Sequence, residues 1–326
     1  MAEWLFEAGI GEDRAILVEN DEIIEAAIEL PSPWRAGAVA EARLTKILVP
    51  GRRGIAVLAD GEEALVEPLP AGLTEGAAFR AEVVREAVPE PGRVKLAKAR
   101  ATDAAPRPGP SLAERIGAAT RVECPGPDRL EQAGWSELLE EAARGEIAFA
   151  GGALRMSLTP AMILFDVDGA LPPAELARAG AAAVARAIRR FGLGGSIGID
   201  LPTLADRADR QAAAAAFDAV LPPPFERTAV NGFGFLQVVR RRERASIPEI
   251  VQGDPAAAAA RALLRRAQRA PGHGPLTLQA APAVIARLEA EPGWLEALRR
   301  NAGAEVALQP DAALAISGTH VQRGSP

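Results

Sequence analysis

Ala161-Met162-Ile163-Leu164-Phe165-Asp166-Val167-Asp168-Gly169 and Gly194-Gly195-Ser196-Ile197-Gly198-Ile199-Asp200-Leu201 are the two stretches that decide how this chain is read. Each is a short apolar run that delivers an aspartate at its end, the form of a buried strand. Between them Pro173 to Phe191 reads as an alanine-rich helix. After the second run come a helix from about Ala205 to Val220 and a third strand candidate, Gly234 to Val239. Strands alternating with helices imply βαβ units and a parallel or mixed sheet. A right-handed crossover brings two such strands side by side with their C-terminal ends on one edge. Ligands of open α/β sheets gather at that edge, so Asp166 and Asp200 are expected to converge.

Two carboxylates brought together in an apolar setting repel, and a hard divalent cation relieves the repulsion. Mg²⁺ suits such a pair because it accepts a few carboxylates and keeps water that can attack a phosphodiester. An equally economical reading makes both aspartates caps of the helices that follow. Asp166-x-Asp168-Gly169 also resembles the opening of haloacid-dehalogenase-type phosphatases, but Ala170 stands in place of the usual Thr. Gly194-x-Ser196-x-Gly198 fits the nucleophile-elbow pattern, yet Ser196 enters a strand rather than leaving one. His273 and His320 are the only histidines, so histidine acid–base chemistry has little to stand on.

Upstream, Ala15-Ile16-Leu17-Val18 and Ile23-Ile24 face each other across Glu19 to Glu22 as a hairpin. Between Gly37 and about Leu96, the short runs Leu44 to Val49, Ile55 to Leu58, Ala64 to Val66 and Phe79 to Val84 are split by Gly and Pro, the pattern of a small barrel. Thr102 to Pro110 reads as a linker, and Leu130 to Ala143 as a helix. Downstream, Pro248 to Gly274 reads as an Ala- and Arg-rich bridge to a small C-terminal unit ending near Val321, with Gln322 to Pro326 frayed.

The chain of 326 residues is 48 % apolar and 25 % charged, enough for about two domains with real cores. No apolar run approaches the roughly 20 residues that span a bilayer. The opening Met1-Ala2-Glu3-Trp4 lacks the features of a signal peptide. The single cysteine, Cys124, excludes an internal disulfide framework. A soluble, cytoplasmic protein with no membrane partner is the expectation. The net charge is −6, but the charge is segregated: Met1 to Pro33 holds nine acidic residues and one basic. Basic islands follow at Arg35 to Arg53, at Arg93 to Arg100 and at Arg240 to Arg244. Such islands either meet a polyanion or are simply solvated arginines.

Read in order, these segments resemble the ribonuclease E/G family. Glu12-Asp13-Arg14 resembles its opening Glu-Thr-Arg hairpin. Gly37 to Gly61, with Leu44-Thr45-Lys46-Ile47-Leu48 and Pro50-Gly51, resembles its inserted OB-fold. Gly151-Gly152 through Asp168 and Gly194 to Asp200 resemble its catalytic strands. Asn231-Gly232-Phe233-Gly234-Phe235-Leu236-Gln237 to Arg242 resembles its Arg-Phe-Gly-Leu-Leu-Glu segment, and Leu276 to Ala315 its small C-terminal domain. The resemblance implies an α/β fold: an RNase H-like and DNase I-like mixed-sheet core, an inserted OB-fold barrel and a small C-terminal α+β unit. The implied division is 1–34 (hairpin of the RNase H-like part), 35–100 (OB-fold), 101–150 (linker and remainder of the RNase H-like part), 151–246 (DNase I-like catalytic subdomain) and 247–326 (linker and C-terminal domain).

The same resemblance implies a Mg²⁺-dependent endoribonuclease that hydrolyses single-stranded RNA. Asp166 and Asp200 would be the metal ligands, and Asp168, where the family has Asn, a third catalytic residue. Arg43, Lys46, Arg52, Arg53, Lys95, Lys98, Phe233, Arg240 and Arg242 would contact RNA. The family's Arg-Thr-Ala-Gly stretch that reads a 5′-monophosphate is missing, which implies cleavage independent of the 5′ end. The Cys-Pro-x-Cys zinc link is missing too, so a zinc-linked dimer is excluded and a homodimer would use other surfaces. From Arg35 to Ala78 there is no Phe, Trp or Tyr. Base stacking contributes roughly 1–3 kcal/mol per base, so its loss leaves an electrostatic, salt-sensitive RNA surface. A non-catalytic RNA-binding paralogue and, more remotely, a haloacid-dehalogenase-type phosphatase are the competing expectations.

Overall fold

The structure, a computed structural model, describes residues 2–324. The chain opens with three antiparallel strands, β1 (Glu3–Ala8), β2 (Asp13–Glu19) and β3 (Glu22–Glu29). Asn20 and Asp21, both at positive φ, make the two-residue turn between β2 and β3. Short polar side chains tolerate that backbone, so this is the hairpin expected from the sequence.

Seven strands follow: β4 (Val39–Val49), β5 (Arg53–Leu58), β6 (Glu63–Val66), β7 (Ala78–Arg85), β8 (Val88–Glu90), β9 (Arg93–Lys95) and β10 (Ala97–Ala101). Five of them close a barrel in the order β10-β6-β5-β4-β7, while β8 and β9 pair separately. Alternation fills the barrel with Leu44, Ala56, Leu58, Ala64, Val66, Ala81 and Ala99, all buried. Small residues dominate because a five-stranded barrel has little interior to fill.

The chain returns to the first sheet through α1 (Leu112–Ile116) and β11 (Thr120–Arg121), which pairs parallel with β1. The expected single helix at 130–143 is two, α2 (Arg129–Gln132) and α3 (Trp135–Arg144), broken where Gly134 adopts a left-handed backbone. Next come β12 (Glu146–Phe149), β13 (Gly152–Leu158), β14 (Ile163–Gly169), α4 (Pro173–Arg190), β15 (Gly195–Asp200), α5 (Arg207–Asp218), β16 (Glu226–Arg227) and β17 (Phe235–Arg240). Their sheet has the order β12-β13-β14-β15-β17-β16, with β14 and β15 the parallel pair at its centre. One continuous core joins this sheet, through α4, to the first sheet: Leu5, Ile16 and Ile23 pack in the same cluster as Phe165, Val184 and Ile199. Residues 1–34, 101–150 and 151–246 therefore share one interior.

The segment read as a bridge is packed structure. It forms α6 (Ile247–Gly253) and α7 (Pro255–Gln268), followed by β18 (Leu276–Ala280), α8 (Pro282–Glu289), α9 (Pro292–Ala302), β19 (Val306–Pro310) and β20 (Thr319–Arg323). Three strands in the order β19-β18-β20 carry the last unit. Gln322 and Arg323 are paired with Thr277 and Leu276 rather than frayed. The remaining residues of that expectation, Ser325 and Pro326, lie outside the described residues.

What α7 is packed against explains why the sequence misled. Its Arg261 donates from Nε to Glu12 at 2.6 Å, and Arg265 pairs with the same carboxylate. Arg269, just beyond the helix, donates to Glu7 at 2.6 Å. Glu7 also takes a 2.9 Å bond from Arg14, which reaches Asp128 at 2.6 Å. Glu7, Glu12, Arg14, Arg261 and Arg265 are all buried. Removing one partner from a buried ion pair leaves the other charge uncompensated and typically costs about 3–5 kcal/mol. Glu12→Ala is therefore expected to destabilise the protein by about that amount, read as a lower urea midpoint at unchanged slope; a midpoint equal to the parent's would show the network to be dispensable.

Candidate functional site

Strand alternation sets the site. In β14, Phe165 and Val167 point into the core while Asp166 and Asp168 point away from it, and in β15 Ile197 and Ile199 are buried while Asp200 is exposed. The face of the six-stranded sheet that carries the aspartates is thus the solvent face. This corrects the expectation of an apolar setting: an uninterrupted run such as Ile163-Leu164-Phe165 looks fully buried, yet Leu164 belongs to the open face and is only half-buried. Asp166 is also inside its strand rather than beyond its end. The phosphatase-like reading needed Asp166 and Asp168 to follow a strand, and both lie within one.

Asp166 and Asp200 are direct partners in the parallel register of β14 and β15. Neighbouring strands lie about 4.8 Å apart, so two carboxylates leave the same face of adjacent strands at the same level. The same row continues through Arg155 on β13 and Phe235 on β17. Arg155 leans past its register partner and comes within 3.5 Å of Asp168. Among the described residues, neither Asp166 nor Asp200 makes an ion pair or a side-chain hydrogen bond. They do not cap the helices either: Pro172 is the N-cap of α4, and Asp206 caps α5 by accepting from Ala208 N–H. Ser196, the look-alike nucleophile, sits within β15 and accepts a 3.1 Å bond from Gln237. Among the described residues no group of three or more His, Cys, Asp and Glu side chains is placed to hold a metal ion, so the pair stands as a two-carboxylate donor set.

Beside the pair is the loop Asn231-Gly232-Phe233-Gly234. The Asn231 side-chain oxygen accepts from the backbone N–H groups of Phe233 and Phe235 at 2.9 and 3.0 Å, closing a tight turn. Gly234 has φ +91°, and a Cβ there would lie 2.2 Å from the Leu201 carbonyl. Only glycine permits that approach, and it holds the loop against the residue after Asp200. The result is a Phe233 side chain 82 % exposed next to the acidic pair, the most exposed of the large hydrophobic residues.

The basic residues fall into two groups. Arg43, Lys46 and Arg52 are exposed on the barrel, Arg43 donating to the Gly76 carbonyl at 2.6 Å. Lys98, Arg240 and Arg242 come together in a cleft between the barrel and the six-stranded sheet, along with Arg85 and Arg100. Lys95 is close enough to feel Arg242 and Arg85, and burial followed by those two charges lowers its pKa. Arg53 and Lys98 share Glu67, whose pKa they pull down to about 2. Sequence reasoning missed Arg85 and Glu67, because nothing local marks either as facing a cleft built from remote segments.

No protein-family model matches the chain, and no curated protein matches it. No helix among the described residues is long and apolar enough to cross a membrane.

Like charges directly opposite each other across two strands destabilise a sheet, by roughly 0.2–1 kcal/mol. In metal-free buffer Asp166→Asn is accordingly expected to raise the melting temperature slightly. Saturating Mg²⁺ should stabilise the parent protein more than the variant. A variant less stable than the parent in EDTA would show that Asp166 serves the fold.

Proposed function

We propose that this protein is a metal-dependent endoribonuclease acting on single-stranded RNA, built on the plan of the ribonuclease E/G family. The observation that carries the reading is the in-register Asp166–Asp200 pair: two carboxylates on adjacent strands, exposed, unpartnered and adjacent to an exposed phenylalanine. A site kept in a mutually repulsive state costs stability, which is the usual mark of function rather than packing. The closed five-stranded barrel supports the OB-fold part of the reading. The mixed sheet with its central parallel pair supports the RNase H-like and DNase I-like assignment.

The donor set fits Mg²⁺, which is commonly bound by one or two carboxylates together with water and substrate phosphate. Asp166 and Asp200 would hold the ion. When bound, it supplies a polarised phosphoryl oxygen and a water of lowered pKa. The chain's own groups do the rest. Phe233 offers a stacking platform for a base next to the scissile position, and the exposed Arg43, Lys46 and Arg52 attract the phosphate backbone to the barrel. Asp168 is tied to Arg155 rather than free, so it orients that arginine beside the pair.

One observation favours a second reading, a non-catalytic RNA-binding protein: the acidic pair lies on an open sheet face with no third acid completing a metal group among the described residues. The two are separated by experiment. Purified protein should cut an unstructured RNA internally in Mg²⁺. Asp200→Asn should lower the rate by on the order of 100-fold or more while leaving the fold intact. Phe233→Ala should weaken substrate binding about tenfold, seen as a raised KM. RNA binding without any Asp200-dependent cleavage would leave the second reading in possession.

A further inference from the structure

The geometry points to a second functional place: the seam between the barrel and the six-stranded sheet is a phosphate-binding cleft that anchors the backbone of a single-stranded RNA. This rests on the nucleic-acid reading above but on none of its catalytic residues. The cleft has a volume of about 440 Å³ and is lined by Arg85, Lys98, Arg100, Arg240, Arg241 and Arg242, with Glu67 the one carboxylate in its wall.

Three observations carry it. First, the cations are held closer than a protein places them without an anion to offset them. Burial pushes the Arg85 guanidinium below its usual range, and Arg242 pushes it further; no carboxylate pairs with Arg85 or Arg240 among the described residues. Second, the donors are not used up. Arg85 spends one N–H on the Leu96 carbonyl at 2.6 Å, and Arg242 pairs with Glu249, yet the Nε atoms of both are buried without a hydrogen-bond partner. A buried donor left unbonded costs free energy that an entering oxygen recovers, and guanidinium groups suit phosphate oxygens geometrically. Third, the cleft holds an internal stand-in. Glu67 accepts from Lys98 and from Arg53, both at 2.7 Å, so a carboxylate already sits where a phosphate would place its charge.

The position is as informative as the chemistry. Gly195, with φ +90°, forms part of the wall, and Arg242 packs across it where a side chain would crowd it. Gly195 opens β15, and Asp200 closes it. At about 3.3 Å per residue the two ends are about 17 Å apart, a span of a few nucleotides along one rigid strand. A backbone phosphate held at the seam thus sets how far along the RNA the acidic pair can reach.

The test measures binding without cleavage. Fluorescence anisotropy of a labelled oligouridylate is followed in EDTA at several salt concentrations, for the parent, Arg85→Gln, Arg100→Gln and Glu67→Gln. Arg85→Gln is expected to weaken binding about tenfold and to flatten the log affinity against log salt plot by about 0.7, the amount for one lost single-strand phosphate contact. Arg100→Gln, whose side chain is exposed, guards against a folding defect in the first variant and should move the same way. Glu67→Gln removes the competing carboxylate and should tighten binding severalfold, a direction that a purely structural Glu67 would not produce. Parent-like affinity and slope in both arginine variants overturn the cleft. So does a parent that binds no oligonucleotide while inorganic phosphate raises its melting temperature, which would make it a free-phosphate site. Arg85-dependent RNA affinity in a protein that never cleaves RNA keeps the cleft and removes only the nuclease reading.

Discussion

Glu12 is a carboxylate with two arginines against it and almost no water, and the arrangement of the whole chain turns on it. Its partners, Arg261 and Arg265, lie 249 and 253 residues away in the sequence. Glu7 is bound in the same way by Arg14 from the adjacent strand and by Arg269 from beyond α7. Together with Asp128 these groups place three carboxylates against four arginines in a nearly dry interior. The surplus positive charge meets the face of Trp135, with Arg14 5.2 Å and Arg265 5.9 Å from the ring centroid. An indole face is the one apolar surface that attracts a cation. Burying so many charges gains little net stability, because desolvation offsets most of the attraction. What such a network supplies is a unique pairing. A shift of α7 by one turn would orphan several charges at once, so the first hairpin and the C-terminal unit have one way to dock.

How far the sequence announced this structure depends on whether the information is local. The central sheet was legible because its strands and helices differ in period: Phe165 and Val167 in, Asp166 and Asp168 out, then a helical run in α4. The barrel was legible through its short runs between Gly and Pro. The role of α7 was not, since arginines in an alanine-rich helix usually face water. There was one clue: Arg261, Arg265 and Arg269 recur every four residues and so share one face, opposite an N-terminal segment rich in glutamate. In the candidate site, the convergence of Asp166 and Asp200 follows from crossover topology, but their exposure does not. An apolar run flanking an acid reads the same whether the acid faces solvent or core. The seam was least legible of all, because its wall is drawn from three separate segments that only folding brings together.

The two ends of β15 carry opposite charge, and this shapes how a polyanion meets the protein. At the Gly195 end, cations lack acceptors; at the Asp200 end, carboxylates lack donors. A bare phosphate is drawn to the first and repelled from the second. It approaches the acidic pair only when that pair's charge has been neutralised. On the proposed reading a divalent cation does so, and the ion and the strand then bind with a shared free energy: each raises the affinity of the other by the same factor. The exposure of Asp166 and Asp200 fits this logic. A buried pair would have to be neutralised to fold at all, whereas an exposed pair is screened by solvent and tolerates being empty. The open face thus lets the protein fold first and acquire ion and substrate together, with the seam holding the strand while the acidic pair waits for its cation.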